Sequence, residues 1–167
     1  MFKRCFNIGV LLIASVALGA TAMAQASPST PANSTSDCRT RTMNHFWLSD
    51  GPTNVEPNAF CVFSTNNEHI FIFFEGNIFR CPPSFGSGCE LSPFFPVLPS
   101  DSTDTIAFID GNLSVRNQAG TKLAQTNTLG HPDAFLQVQD NGGIFIYDDK
   151  CRVLFTFFDA PHTCVLP

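Results

Sequence analysis

Residues 137–145 read QVQDNGGIF, and this stretch carries the pattern that decides the fold. Residues 71–79 (FIFFEGNIF) and 106–114 (IAFIDGNLS) repeat the pattern: apolar residues, then an acidic residue or asparagine followed by glycine, then more apolar residues. Asp-Gly and Asn-Gly supply the positive φ angles that a tight hairpin turn requires. Each stretch is therefore predicted to be a β-hairpin. Three such hairpins predict a pseudo-symmetric set of small sheets whose inward faces share one core.

The rest of the chain after residue 38 also favours strands, because short apolar and β-branched runs alternate with turn residues and no helical periodicity is present. The predicted strands are Ala59–Ser64, His69–Phe74, Asn77–Cys81, Thr105–Ile109, Asn112–Arg116, Phe135–Gln139, Ile144–Tyr147 and Arg152–Phe158. Prolines between Cys81 and Ser100 predict a long loop there, since proline cannot donate to a sheet ladder. The sequence thus predicts an all-β fold.

The N-terminus has the three parts of a secretory signal peptide. Lys3 and Arg4 precede the apolar run 8–20, and residues 22–24 (AMA) have the small-x-small form of a cleavage site. The alternative is an uncleaved anchor helix, which the lack of flanking stop-transfer charges disfavours. A secreted, extracellular protein with no further membrane span is expected. Its predicted organisation is a signal peptide (1–24), a flexible leader rich in serine, threonine and proline (25–37) and one folded domain (38–167).

Cleavage of the signal peptide would make the net charge of the protein more negative. The whole chain has a net charge of −5, with nine basic and fourteen acidic residues. Removal of Lys3 and Arg4 with the signal peptide leaves seven basic residues and a net charge of about −7. This balance argues against nucleic acid or an anionic membrane as the main partner.

Six cysteines remain after the signal peptide, an even number that is typical of a disulfide framework in an exported domain. Sequence alone leaves their pairing open among about 15 connectivities. Proximity along the chain suggests Cys81 with Cys89, Cys151 with Cys164, and Cys38 with Cys61. The alternative of a zinc site lacks a CxxC knuckle or paired histidine spacing. No metal and no cofactor are expected.

The third hairpin places polar groups along one face. Because side chains alternate across a strand, Gln139, Asn141, Phe145 and Tyr147 share one face, while Ile144 and Ile146 face the core. Amides and a phenol can pair with the hydroxyls of a sugar, and an apolar side chain can cover its C–H face. A carbohydrate-binding site is therefore predicted on this face.

Residues 139–147 (QDNGGIFIY) resemble the Q-x-D-x-N-x-V-x-Y mannose motif of bulb-type lectins. Asp110-Gly111-Asn112-Leu113 is similar to the D-G-N-L turn of that family, and residues 123–128 and 153–156 are similar to its closing strands. The best match covers about residues 105–157, with a fainter echo at 71–81. The resemblance implies a β-prism of three four-stranded sheets, mannose-type glycans as partners, and Asp110 and Asn112 as further binding residues.

No repeat retains the whole motif. In the third repeat, Asn141, Gly143 and Phe145 replace its Asp, Asn and Val. In the second repeat, Phe108 stands where the motif has Gln, and Ser114 and Arg116 replace Val and Tyr. The first repeat has Phe73, Glu75, Asn77, Phe79 and Cys81 at the five positions. Ala124 and Phe155 occupy closing-strand positions where tryptophan is expected.

Two other classes of function are weighed against a lectin. An enzyme is not expected, because the four histidines are scattered and no catalytic motif is present. Asp140, Asp148 and Asp149 are also compatible with a calcium site, but a solvated acidic turn is the preferred explanation for these residues. The runner-up function is a secreted protein-binding, effector or structural module, with Phe71, Phe73 and Phe79 as an interaction patch. A protein partner and a homo-oligomer stay open.

Overall fold

The computed structural model describes residues 45–51, 54–56, 59–84 and 87–167. The predicted signal peptide (1–24), the predicted leader (25–37) and Cys38 lie outside these residues. Strands are the only regular elements among the described residues. This part of the chain contains no helix of the length and apolarity that a membrane crossing requires.

Twelve strands in the described ranges form three antiparallel sheets of four strands each, arranged as a β-prism with pseudo-threefold symmetry. Sheet I has the order β3 (Ala59–Phe63), β4 (Ile70–Phe74), β5 (Asn77–Cys81), β6 (Glu90–Leu91). Sheet II has the order β2 (Val55–Glu56), β7 (Thr105–Ile109), β8 (Asn112–Arg116), β9 (Lys122–Gln125). Sheet III has the order β1 (Phe46–Leu48), β10 (Phe135–Val138), β11 (Ile144–Tyr147), β12 (Val153–Phe158). The all-β, three-sheet fold predicted from sequence is confirmed.

All eight predicted strands are present, to within one residue at each end. The sequence does not predict β1 and β2, which are too short to show a pattern and pair with strands far along the chain. The predicted loop from Cys81 to Ser100 is wrong at β6, where Glu90 and Leu91 pair with β5. Neither residue is proline, and the Cys81–Cys89 disulfide holds them beside β5.

The hairpins of sheets I and II have two-residue turns. Phe74 pairs with Asn77 and Ile109 with Asn112. Both turn residues have positive φ, 51° at Asp110 and 73° at Gly111 in sheet II, as a type I′ turn requires. The hairpin of sheet III differs. Its backbone bonds join Gln139 and Gly143 around a three-residue turn in which Gly142 has a φ of 84°.

The inward faces of the three sheets meet in one core. Trp47 of sheet III, the only tryptophan of the chain, is fully buried. Its ring centroid lies 4.5 Å from that of Phe60 in sheet I and 5.5 Å from that of Phe108 in sheet II. Phenylalanines thus fill much of the prism axis. Ala124, where the lectin resemblance leads one to expect tryptophan, is also a core residue.

Two disulfides join described cysteines, Cys81–Cys89 and Cys151–Cys164, as chain proximity predicts. Cys61 is also disulfide-bonded. Its predicted partner, Cys38, lies outside the described residues, so that pairing stays a prediction.

Candidate functional site

The turn at the tip of the third hairpin is fixed by sheet I. The backbone N–H of Asn66 donates to Asp140 Oδ1 (2.9 Å), and the Arg80 guanidinium donates to the carbonyl of Gly142 (2.8 Å). The Arg80 guanidinium carbon also lies 4.7 Å from the ring centroid of Phe158. Because these contacts come from another sheet, the turn that carries Asn141 is held at a defined position.

Side chains on β11 alternate as the sequence predicts. Ile144 and Ile146 belong to the central core, while Phe145 and Tyr147 lie on the outer face of sheet III. There the Tyr147 ring is 5.6 Å from Phe145 and 5.8 Å from Phe135, measured between centroids. The outer face of sheet III is therefore an aromatic platform, with the Gln139 amide at its edge.

The C-terminal segment of the chain covers this platform. The Gln139 amide donates to the carbonyl of Thr163 (2.7 Å), and the Asn141 amide donates to the carbonyl of Pro161 (2.6 Å). The His162 ring lies 5.7 Å from Phe145, and Cys164 packs against the same aromatic cluster. We call residues 161–165 the strap. Under it, Phe145 and Tyr147 are no more than 1% exposed.

Gln139 and Tyr147 are also bonded to each other. The Gln139 amide donates to the Tyr147 hydroxyl oxygen (3.0 Å). Burial raises the pKa of Tyr147 from 10.0 to about 12, although the bond from Gln139 acts in the opposite direction. Gln139 Oε1 is buried and meets no hydrogen-bond donor among the described residues. One acceptor on this face is thus left without a partner.

The replacements at 143 and 145 depend on one another. A Cβ placed on Gly143 would lie 2.5 Å from Cε2 of Phe145 and 3.1 Å from Cβ of Ala160. Both distances are shorter than ordinary carbon contacts. The Phe145 ring therefore occupies the space next to residue 143, where the lectin motif has asparagine.

A groove of about 250 Å³ opens beside the platform. It runs between the hairpin tip, the start of β1, the turn before β4, and the strap. The side chains of Gln137, Gln139 and Asn141 line one side, and Val165 contributes apolar surface, whereas the side chain of Val138 points into the central core. The remaining lining residues are His45, Thr65, Asp140 and Thr163. Gln139 and Asn141 were predicted site residues, and the groove brings them together.

Sequence reasoning missed four groove residues that carry polar side chains, His45, Thr65, Gln137 and Thr163. Gln137 lies two positions before Gln139 on the same face, so strand alternation could have found it. His45 precedes β1, which pairs with β10 at the other end of the domain sequence. Burial lowers the pKa of His45, although the charge of Asp140 acts in the opposite direction. The imidazole is therefore neutral at pH 7.

In the second repeat, the predicted residues hold the framework. Asn112 Oδ1 accepts from the Thr128 N–H (3.2 Å), and its amide donates to Gln125 Oε1 (3.3 Å). Asp110 Oδ2 accepts from the Gly130 N–H (3.0 Å). Asn112 is 5% exposed. The structure does not bring these two residues to the groove, and their role in sugar binding stays a prediction.

In sheets I and II the turn is one residue shorter than in sheet III, so the residue that occupies the structural position of the motif Gln is not the one found by counting along the sequence. In sheet II, Ile109 lies opposite Asn112, as Gln139 lies opposite Gly143 in sheet III. Phe108, aligned with Gln by counting along the sequence, points into the core. Phe73 in sheet I is displaced inward in the same way. A difference of one residue in turn length moves the incoming strand's side chains to the opposite face.

Sheet I presents no polar face. Its outer side is an apolar cluster of Cys61, Ile70, Ile72, Phe79 and Cys81. Phe71 and Phe73 lie in the central core instead. Since Phe71, Phe73 and Phe79 are all buried, the interaction patch considered for them is not present.

The acidic residues Asp140 and Asp148 lie at opposite ends of β11 and do not form a common site. Asp140 and Asp149 are exposed, as expected of a solvated turn, but Asp148 is buried. Desolvation would raise the pKa of Asp148, but hydrogen bonds from the backbone and side chain of Arg152 and from the Lys150 N–H keep it below its ordinary value. Within the described ranges, no three His, Cys, Asp or Glu side chains are grouped so that they could hold a metal ion.

The sequence matches no protein-family model and no curated protein. Solved structures that are similar to it include two lectins. A lectin from Japanese Marasmius oreades is 17% identical with a TM-score of 0.51, and the match covers 66% of this chain and 87% of that lectin. A monomeric monocot mannose-binding lectin from Gastrodia elata is 15% identical with a TM-score of 0.52, over 67% of this chain and 94% of that lectin. The fold implied by the resemblance to bulb-type lectins is thereby confirmed: the chain folds as a lectin-like β-prism.

Proposed function

We propose that this chain is a secreted carbohydrate-binding protein that holds a neutral sugar residue, of the mannose type, in the groove beside the third hairpin. The observation that carries the proposal is the convergence of three amide side chains, from Gln137, Gln139 and Asn141, on one groove that the apolar side chain of Val165 also lines. The proposal is for binding rather than for catalysis. Export is proposed from the N-terminal signal sequence.

The chemistry of the groove fits a neutral polyol. An amide has both donor and acceptor atoms, which suits the paired hydroxyls of a sugar ring, and the Gln139 and Asn141 amides would exchange their bonds to the strap carbonyls for bonds to the sugar. Val165 offers apolar contact to its C–H groups. Asp140 and the neutral His45 supply no positive charge, and the acidic chain as a whole repels anions. At about 250 Å³ the groove is smaller than pockets for drug-sized ligands and suits one sugar residue.

The proposal is supported by the lectin-like fold, which is also the fold of a mannose-binding lectin from Gastrodia elata. Fold by itself does not fix function, so the groove residues must be tested directly. A glycan array and mannose-agarose capture of the oxidised protein, competed with free mannose, provide the first test. Selective capture of mannosides that free mannose abolishes is the expected result.

Site variants make the test specific. Gln137→Leu removes an amide from the groove at nearly constant volume, and loss of one or two hydrogen bonds should weaken binding roughly tenfold. Gln118→Leu is the matched control, because Gln118 is an exposed amide in the turn between β8 and β9. Capture of no glycan by the folded, oxidised protein would contradict the proposal. Equal losses of binding in the two variants would show that the groove is not the binding site.

A further inference from the structure

The strap lies on the platform much as a bound ligand would. Its carbonyl oxygens at Pro161 and Thr163 accept from the amides of Asn141 and Gln139, the two predicted sugar-binding amides of the third repeat. The His162 ring packs on the aromatic side chains. Hydroxyl oxygens of a sugar could accept from the same amides, and its C–H face could replace His162 on the platform.

The strap has no regular secondary structure, and its residues other than Cys164 are exposed on their outer side. Among the described residues, three hydrogen bonds to side chains hold it, two to strap carbonyls and a longer one from the Val165 N–H to Gln137 Oε1 (3.4 Å). Its covalent attachment is the disulfide between Cys151, in the turn before β12, and Cys164. Within the described part of the chain, these bonds and the packing of His162 and Cys164 on the platform are what oppose its release besides the cross-link.

We propose that the strap is an internal occupant of the sugar-binding face, and that the Cys151–Cys164 disulfide is the latch that keeps it there. Opening the latch joins the groove to the aromatic platform and creates a longer site, suited to an extended glycan. The inference rests on the proposed function for the identity of the ligand. The burial of Tyr147 and the bonds to the strap support the latch itself.

The opening step is a thiol–disulfide exchange. A dithiol reductant attacks the Cys151–Cys164 bond, the two cysteines become thiols, and the reductant becomes a disulfide, with two electrons and two protons transferred. Release leaves the Gln139 and Asn141 amides free for ligand oxygens. Gln139 Oε1, buried and without a donor among the described residues, then becomes available to a ligand hydroxyl.

The test compares two pairs of cysteine substitutions in the full chain. Cys151→Ser with Cys164→Ser opens the latch, and Cys81→Ser with Cys89→Ser opens the other described disulfide as the matched control. Tyr147 is the only tyrosine, so nitration by tetranitromethane and the titration of its absorbance report on the platform alone. Removing a cross-link across a loop of this length should increase nitration on the order of 100-fold.

In the latch variant, the pKa of Tyr147 should fall from about 12 towards 10.0, with no such change in the control. Trp47 fluorescence checks that the core stays folded. If the latch variant does not fold, the wild-type protein partly reduced under native conditions gives the same comparison, with mass spectrometry identifying the open disulfide. Protection of Tyr147 after the latch opens would overturn the inference.

Binding separates the two proposals. Exposure of Tyr147 together with stronger capture of mannosides supports both. Exposure without any glycan capture supports the latch and contradicts the proposed function. Continued protection with glycan capture by the oxidised protein supports the function and overturns the latch.

Discussion

Restoring the asparagine of the lectin motif at position 143 should fail unless the ring at position 145 is removed as well. Gly143→Asn introduces a Cβ 2.5 Å from Phe145 Cε2, and overpacking of this kind costs about 1–3 kcal/mol. Phe145→Val truncates a ring that is 1% exposed, at a cost of about 2–4 kcal/mol. Because the new side chain can enter the space that the ring vacates, the double variant should be more stable than the sum of the two changes by about 1–2 kcal/mol.

Urea unfolding followed by the fluorescence of Trp47, the only tryptophan, measures this coupling. The matched control is Phe79→Val combined with Gly143→Asn. Phe79 stands at the corresponding position of sheet I and is equally buried, but it belongs to a different cluster. The control pair should be additive within about 0.5 kcal/mol. Additivity of Gly143→Asn with Phe145→Val would refute the reasoning, since the ring would then not occupy the space of the motif asparagine.

Three further predictions concern the framework. Burial raises the pKa of Tyr147 from 10.0 to about 12, so the folded state holds the phenol proton more tightly than the unfolded state does. The contribution of Tyr147 to stability should be complete below pH 10 and should fall between pH 10 and about 12. Tyr147→Phe should remove this alkaline loss of stability, measured by urea unfolding. The hydrogen bonds of Asp148 outweigh desolvation and lower its pKa in the folded state. The contribution of Asp148 to the free energy of unfolding is therefore complete above the pKa of the unfolded state and is lost as the pH falls through the pKa of the folded state. Asp148→Asn should cost about 1.5–3 kcal/mol at pH 7 and flatten the acid limb of the stability profile; an unchanged acid limb would contradict this. Asn112→Ala should lower the free energy of unfolding by about 1–3 kcal/mol in the same assay. Asn117→Ala, in a more exposed turn, should lower it by less than about 1 kcal/mol. Equal losses in the two variants would contradict a framework role for Asn112.

The strands could be predicted because their signals are local. The alternation of apolar residues and the Glu-Gly and Asp-Gly turns lie within single hairpins, and the φ angles at Asp110 and Gly111 are those that the residue types favour. Long-range pairings give no such signal. Phe46 pairs with Gln137 across most of the domain, and nothing in the three residues of β1 indicates this partner.

The site was only partly predictable, for two physical reasons. Turn length fixes register: the three-residue turn of sheet III keeps Gln139 on the outer face, whereas the shorter turn of sheet II moves Phe108 inward. Counting residues between motif positions cannot show this difference. The strap is the second reason, because Pro161 and Thr163 carry no distinctive side chain, and it is their backbone carbonyls that reach the site.

The hairpin asparagines show why a retained motif residue need not mark a sugar site in this fold. Asn77 Oδ1 accepts from the Leu98 N–H (2.9 Å), and Asn112 Oδ1 accepts in the same way from the Thr128 N–H (3.2 Å). In both sheets the amide thus ties the hairpin tip to the segment that returns beneath it. In sheet III this position is Gly143, and Asn141 binds the strap instead. The first two asparagines are committed to buried framework bonds, whereas the partner of Asn141 is the exposed strap. The third repeat, which departs furthest from the motif at this position, is therefore the one whose amides the proposed release of the strap would free for a ligand.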